Sequence, residues 1–226
     1  MAIDSGADPQ EVRERNLAFF AGRFAPIYSF YIEHEAVARL VARVVWGGDI
    51  RPFYATMAEI GRVPDGGVIV DAPCGAGVAF RGLRPDQRVR YLALDLSPAM
   101  LQRARRRAAR RGLGQIAFVE GDAESIPVED GSVDLFLSYW GLHCFADPEA
   151  ALAEARRCLR PHGRLIGGTV VSGPSLRQRA LVRPDHGPLG AVAGVDDISR
   201  WLEARFAQVR VEPSGAFAYV SAVKPG

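Results

Sequence analysis

The sequence predicts an α/β domain whose mostly parallel sheet ends in an antiparallel strand pair, with helices on both faces. Three observations carry this. From Gly67 onward, short apolar runs alternate with helical patterns. Such βαβα order implies parallel strands covered on both sides. The last two apolar runs are separated only by Pro213-Ser214-Gly215, too short for a parallel crossover.

The first 60 or so residues read as helical. Asp8-Pro9 is an N-cap followed by proline at the first helical position. Leu17, Phe20 and Phe24 recur at helical spacing after it. Val37, Leu40, Val41, Val44 and Val45 form one stripe on a second helix that Gly47-Gly48 stops. A third runs from Pro52 to Ile60 and ends at Gly61. Residues 1–62 are too few for their own core and are expected to form a lid on a domain spanning 63–226.

Within that domain, Val68-Ile69-Val70 is strand one and Arg90–Leu94 strand two. Ser97-Pro98 opens a helix that Gly112 closes. Ile116–Val119 and Val133–Leu137 are strands three and four, and Asp147-Pro148 opens a helix burying Leu152, Ala155 and Leu159. Gly163–Val171 is strand five. After a Gly- and Pro-rich loop (173–195) come a helix with Ile198, Trp201, Leu202 and Phe206, then strands Gln208–Glu212 and Ala216–Val223.

Composition narrows the function classes. Apolar residues at 48% and charged residues at 24% are ordinary for a globular protein. A net charge of +2 predicts no strong pull toward nucleic acid or anionic lipid. All basic residues except Lys224 are arginine. The helix bearing Arg103, Arg105, Arg106, Arg107, Arg110 and Arg111 reads as a solvated face or, alternatively, an RNA-binding stripe. Cys74, Cys144 and Cys158 lack metal-type spacing. No apolar run is long enough to span a bilayer, and the polar start lacks a leader pattern. A cytoplasmic protein without a membrane span or a metal is expected.

The chemistry-bearing residues gather at strand ends. Asp71-Ala72-Pro73-Cys74-Gly75-Ala76-Gly77 follows strand one, and glycines there let a ligand approach the backbone. The following helix is expected to offer free N–H groups to an anion. Asp95 ends strand two, where an acid can hold a ribose diol, and Asp122 ends strand three, where one can accept from an adenine amino group. A dinucleotide fingerprint needs a third small residue in G-x-G-x-x-G/A. Phe80 stands there instead.

With these segments, the sequence resembles the class I S-adenosylmethionine-dependent methyltransferases, in particular the small-molecule group of the ubiquinone/menaquinone-biosynthesis enzymes. The resemblance rests on Val68–Gly77, Leu94–Met100, Gly121–Pro127, Ser138–His143 and Leu159–Leu165. It implies a Rossmann-like seven-stranded sheet with S-adenosyl-L-methionine as cofactor. Asp71 and the backbone of Gly75 and Gly77 would hold the methionine end. Asp95 would bind the ribose, Leu96 and Met100 would flank the adenine, and Asp122 with Ala123 would read its edge. The Ser138 carbonyl would face the cofactor's amino group. Pro73 replaces the usual first glycine and withholds one N–H from this loop.

The acceptor site is expected after strand four. Trp140 and Phe145 would wall it, and His143 would act as general base or pack in the core, with Tyr139 the next candidate for the base. Tyr28, Tyr31 and His34 would line the acceptor pocket or pack at a helix junction. The implied reaction is methyl transfer to an oxygen, nitrogen or carbon of a small, apolar or aromatic metabolite. A non-catalytic S-adenosylmethionine-binding protein and an RNA methyltransferase are the alternatives, and a monomer and a homodimer both fit.

Overall fold

In the computed structural model, the described residues are 8–22, 24–172 and 192–226; the polar start and most of the 173–195 loop lie outside them. Helices α1 (Pro9–Ala21), α2 (Phe24–Glu33), α3 (Glu35–Val44) and α4 (Arg51–Thr56) precede the sheet. Then come β1 (Val68–Asp71), β2 (Arg90–Asp95), α5 (Pro98–Arg110), β3 (Ile116–Glu120), β4 (Val133–Tyr139) and α6 (Pro148–Cys158). β5 (Leu159–Val170), α7 (Val195–Glu203), β6 (Ala207–Ser214) and β7 (Phe217–Val223) complete the chain.

The strand order is β3-β2-β1-β4-β5-β7-β6. β1 to β5 pair in parallel, while β7 runs antiparallel to both β5 and β6. The chain leaves β1 toward β2 and returns from β3 to the opposite side of β1, which sets a topological switch at the β1–β4 boundary. Ligands of open α/β sheets bind outside the strand carboxyl ends at such a point.

Local chemistry sets the helix starts. Asp8 accepts from Gln10 N–H, Ser97 from Met100 N–H, and Asp147 from both Glu149 and Ala150 N–H, each with proline next in sequence. Strand alternation feeds two cores. Ile69, Tyr91, Leu135 and Leu137 face α3 to α5, while Val70, Leu94 and Phe136 face α6 and α7.

Several boundaries differ from expectation. The first helix stops at Gly22, so Phe24 belongs to α2. The third expected helix divides into α4 and a 3-10 segment, Met57–Arg62, that runs through Gly61. β5 begins four residues before Gly163, because Leu159 already pairs with Val133. The α3 stripe is turned outward: Val37, Leu40 and Val44 are exposed, and the helix packs inward through Ala38 and Ala42.

The largest correction follows β1. A five-residue 3-10 turn, Val78–Gly82, stands where a full helix was expected. Ala38, Ala42, Phe53, Met57 and Ile60, all from the N-terminal segment, share the core that covers this face with Phe80 and Tyr91. The same segment is tied to the C-terminal hairpin. Tyr219 OH donates to Asp49 O at 2.6 Å, and Asp49 N–H donates to Ser214 Oγ at 2.8 Å.

Candidate active site

β1 delivers Asp71 to the sheet rim, 1% exposed, where its Oδ2 accepts from Tyr91 OH at 2.7 Å. Burial pushes its carboxyl up to about 8, against the Tyr91 hydrogen bond and with help from the nearby Asp95 charge. The chain then passes a cis Ala72–Pro73 bond into the glycine loop. Gly77 is needed there for two reasons: its φ is +77°, and a Cβ would lie 2.3 Å from the Phe80 ring.

Asp95 at the end of β2 holds this loop. Its Oδ2 accepts from Gly75 N–H at 2.7 Å and its Oδ1 from Ser97 N–H at 2.9 Å. Burial raises its pKa to about 6, against those two bonds. Gly77 N–H donates to Cys74 O at 2.9 Å. The Gly75 and Gly77 N–H groups are therefore engaged inside the protein, and with only a 3-10 turn behind them the helix N-terminus that was expected to offer free N–H groups is not presented.

Asp122 lies just past β3. Its Oδ1 accepts from Glu124 N–H, and its Oδ2 pairs with Arg13 Nε at 2.8 Å. Arg13 also reaches Glu124 at 2.7 Å, and Asn16 donates to Cys144 O. Two α1 side chains thus fasten this helix across the strand ends. The sequence reading missed both. The available signal was a polar pair at i, i+3 beside Leu17 and Phe20, on a face that must meet protein on one side.

A cavity lies beneath α1 and α2. Asp71, Asp95 and Asp122 line it together with Pro73, Gly75, Leu96, Met100 and Ala123. Leu17, Phe20, Ile32, Tyr139, Trp140 and Phe145 make the apolar wall. Gly141 permits the wall to close, since a Cβ there would fall 2.4 Å from Pro73 Cδ. Trp140 takes a φ of +60° at the end of β4 and stacks on Phe53 with centroids 5.1 Å apart.

Other expected residues are not brought to the cavity. His143 is buried, and its Nδ1 accepts from Val170 N–H at 3.2 Å beside Thr169 Oγ1 at 3.0 Å. Its ring proton therefore sits on Nε2, and burial lowers its pKa to about 3. The Ser138 side chain faces the opposite core beside Phe136, Leu142 and Leu165, whereas the part expected of this residue is its backbone carbonyl. Tyr31 packs against the core on the α3 to α5 side. His34 is exposed, with Nδ1 against Phe30 O at 2.8 Å. The Tyr28 side chain lies outside the described residues.

Tyr139 does reach the cavity. Thr56 donates its only hydroxyl proton to Phe53 O at 3.0 Å, so the Tyr139 hydroxyl, 3.0 Å from Thr56 Oγ1, is the donor between them. Burial holds this phenol well above its ordinary range. Burial likewise raises the Cys74 thiol, and it takes that of Cys144 up to about 12. Neither cysteine has the thiolate character of a nucleophile.

Residues 70–167 match the family model of a methyltransferase domain. Over that segment the chain is similar to methyltransferase domains. Over 102 residues it is 41% identical to a ubiquinone/menaquinone biosynthesis C-methyltransferase of Methylobacterium nodulans, covering 43% of this chain and 40% of that protein. A malonyl-[acyl-carrier protein] O-methyltransferase of Serratia marcescens is 35% identical over 147 residues, covering 63% and 55%. The chain spans about half the length of the curated relatives it matches. A SAM-dependent methyltransferase structure from Aquifex aeolicus shares the fold with a TM-score of 0.57 at 18% identity, covering 96% of this chain and 99% of that one. Asp71, Asp95 and Asp122 all lie within the matched segment, and the fold brings them to one cavity.

Proposed function

We propose that this domain binds S-adenosylmethionine and transfers its methyl group to a small, apolar or aromatic acceptor. The observation that carries the reading is the convergence of Asp71, Asp95 and Asp122 on one cavity whose remaining wall is apolar and aromatic. Carboxylates at successive strand ends suit an amine, a ribose diol and an adenine edge in turn.

The residues present fit that cofactor. Asp71 would receive its ammonium and Asp95 its ribose hydroxyls. Leu96 and Met100 would flank the adenine, which Asp122 and the Ala123 N–H would read. Bound there, the cofactor supplies an electrophilic methyl with its own sulfur leaving group, so the protein's work is alignment and exclusion of water. Leu17 and Phe20 on α1 shield the cavity, and Arg13 keeps α1 in place. Tyr139 stays protonated and orients the acceptor through its oxygen lone pairs.

No histidine lines the cavity among the described residues. The reading therefore favours an acceptor that is nucleophilic by itself or ionises readily, such as a phenol or an enolised quinol precursor. Calorimetry with S-adenosylhomocysteine and with NAD tests the cofactor, and S-adenosylhomocysteine release across a panel of phenols and quinols tests turnover. Binding of NAD without S-adenosylhomocysteine would overturn the proposal.

A further inference from the structure

The acceptor cavity has a charged neighbour. Val78 and Arg107 line both the cavity and an adjoining open cleft. That cleft is otherwise walled by Glu33, Arg81, Arg110 and Arg111. Arg107 and Arg110 lie on one face of the last turn of α5, and Arg111 is its C-cap residue. Arg81 comes from the short turn after the glycine loop.

The charges do not balance. Arg107 pairs with Glu33, and Arg81 pairs with Glu35 at 3.7 Å while lying over the Tyr54 ring. Among the described residues, Arg110 and Arg111 have no carboxylate partner; Arg111 reaches only Leu83 O, at 3.5 Å. Four guanidinium groups thus face two carboxylates. The α5 C-terminus favours cations at 110 and 111. Arg107, also in the last turn, has a side chain only 12% exposed, so it gives up water to stand beside two like charges with Glu33 as its one carboxylate partner. Burial, and then Arg110 and Arg111, push its pKa down to about 10.

We propose that this arginine cleft is the anion subsite of the methyl acceptor. The acceptor would be a phosphate or diphosphate ester whose apolar body occupies the adjoining cavity. The inference rests on reading that cavity as the acceptor site. A phosphate monoester carries about two negative charges near neutral pH, which matches the excess of two guanidinium groups. Arginine forks suit phosphate oxygens in geometry as well as charge. Val78 and Ile32 stand where the body of such a molecule would leave the arginines for the apolar wall.

The test measures octyl phosphate, octanol and inorganic phosphate by calorimetry on the full chain, with S-adenosylhomocysteine as a separate titration. Wild type is compared with the exposed double variant Arg110→Ala/Arg111→Ala and with Arg107→Gln. Octyl phosphate should bind about tenfold or more tighter than either octanol or inorganic phosphate. That preference should fall about tenfold in the double variant, with S-adenosylhomocysteine affinity retained. Equal binding of octanol and octyl phosphate, or an unaltered double variant, would overturn the inference. So would inorganic phosphate matching octyl phosphate, which would separate the anion from the cavity. Phosphatidic acid vesicles that bind when octyl phosphate does not would make the arginines a lipid contact instead. Failure of S-adenosylhomocysteine to bind wild type would sink the cofactor reading alone.

Discussion

Asp71 and Asp95 are buried acids whose ionisation burial opposes, and that gives each a measurable signature. Asp71, with its pKa raised to about 8, is largely protonated at pH 7. A ligand ammonium beside it would favour the carboxylate, so cofactor binding near pH 7 should release protons. Calorimetry in buffers of different ionisation enthalpy checks this, and Asp71→Asn should abolish the release. Asp95→Ala should weaken S-adenosylhomocysteine binding by about 1.5–3 kcal/mol, the range for a hydrogen bond to a charged group. An unchanged dissociation constant would remove Asp95 from the site. For His143→Ala the expectation is structural. It leaves the Val170 N–H without its acceptor in a buried place, a cost of about 1–3 kcal/mol. Melting temperature should fall while the pH–rate profile keeps its shape; loss of a titrating limb would restore His143 as a base.

At the scale of elements, α1 joins the site through Arg13 and Asn16. The Arg13 pairs are about one-third exposed, with side-chain values of 34% and 30% for Arg13 and Asp122. Their contribution to global stability is therefore small, about 1 kcal/mol or less. Their local effect should be larger, because α1 buries little else besides Val12 and Asn16. Arg13→Ala should speed S-adenosylhomocysteine dissociation in stopped-flow and expose α1 to protease earlier. An unchanged off-rate would show that α1 is no lid. These starts were legible, since Asp8-Pro9, Ser97-Pro98 and Asp147-Pro148 each carry a cap and a proline. The 3-10 turn after β1 was not. The run Val78-Ala79-Phe80 is as compatible with a longer helix as with one turn, and Gly82 after it lets the N-terminal segment pack close, since a Cβ there would fall 2.1 Å from Met57 O.

For the whole molecule, the two buried acids predict an unusual pH dependence of stability. An acid whose pKa is higher folded than unfolded binds more protons in the native state, so stability falls as pH rises between the two values. For Asp95 that window runs from the ordinary carboxylate value to about 6, and for Asp71 to about 8. The ligand-free protein should lose melting temperature from pH 5 to pH 8, and Asp71→Asn should flatten the upper part of that decline. A profile that rises over this range would contradict the burial assigned to both acids.

Periodicity, caps and the short link between the last two apolar runs were enough to determine an α/β sheet with an antiparallel end, because they depend on neighbours along the chain. The placement of Asp71, Asp95 and Asp122 at successive strand ends was legible for the same reason. Only the tertiary structure decided which face each side chain took. Ser138 alternates away from the rim, and His143 turns back onto the β5 backbone. Arg13 and Arg107 come to the cavity from helices that are distant in sequence, and the α3 valines face outward because Ala38 and Ala42 allow the closer approach. Those choices follow from packing between elements, which a local pattern does not encode.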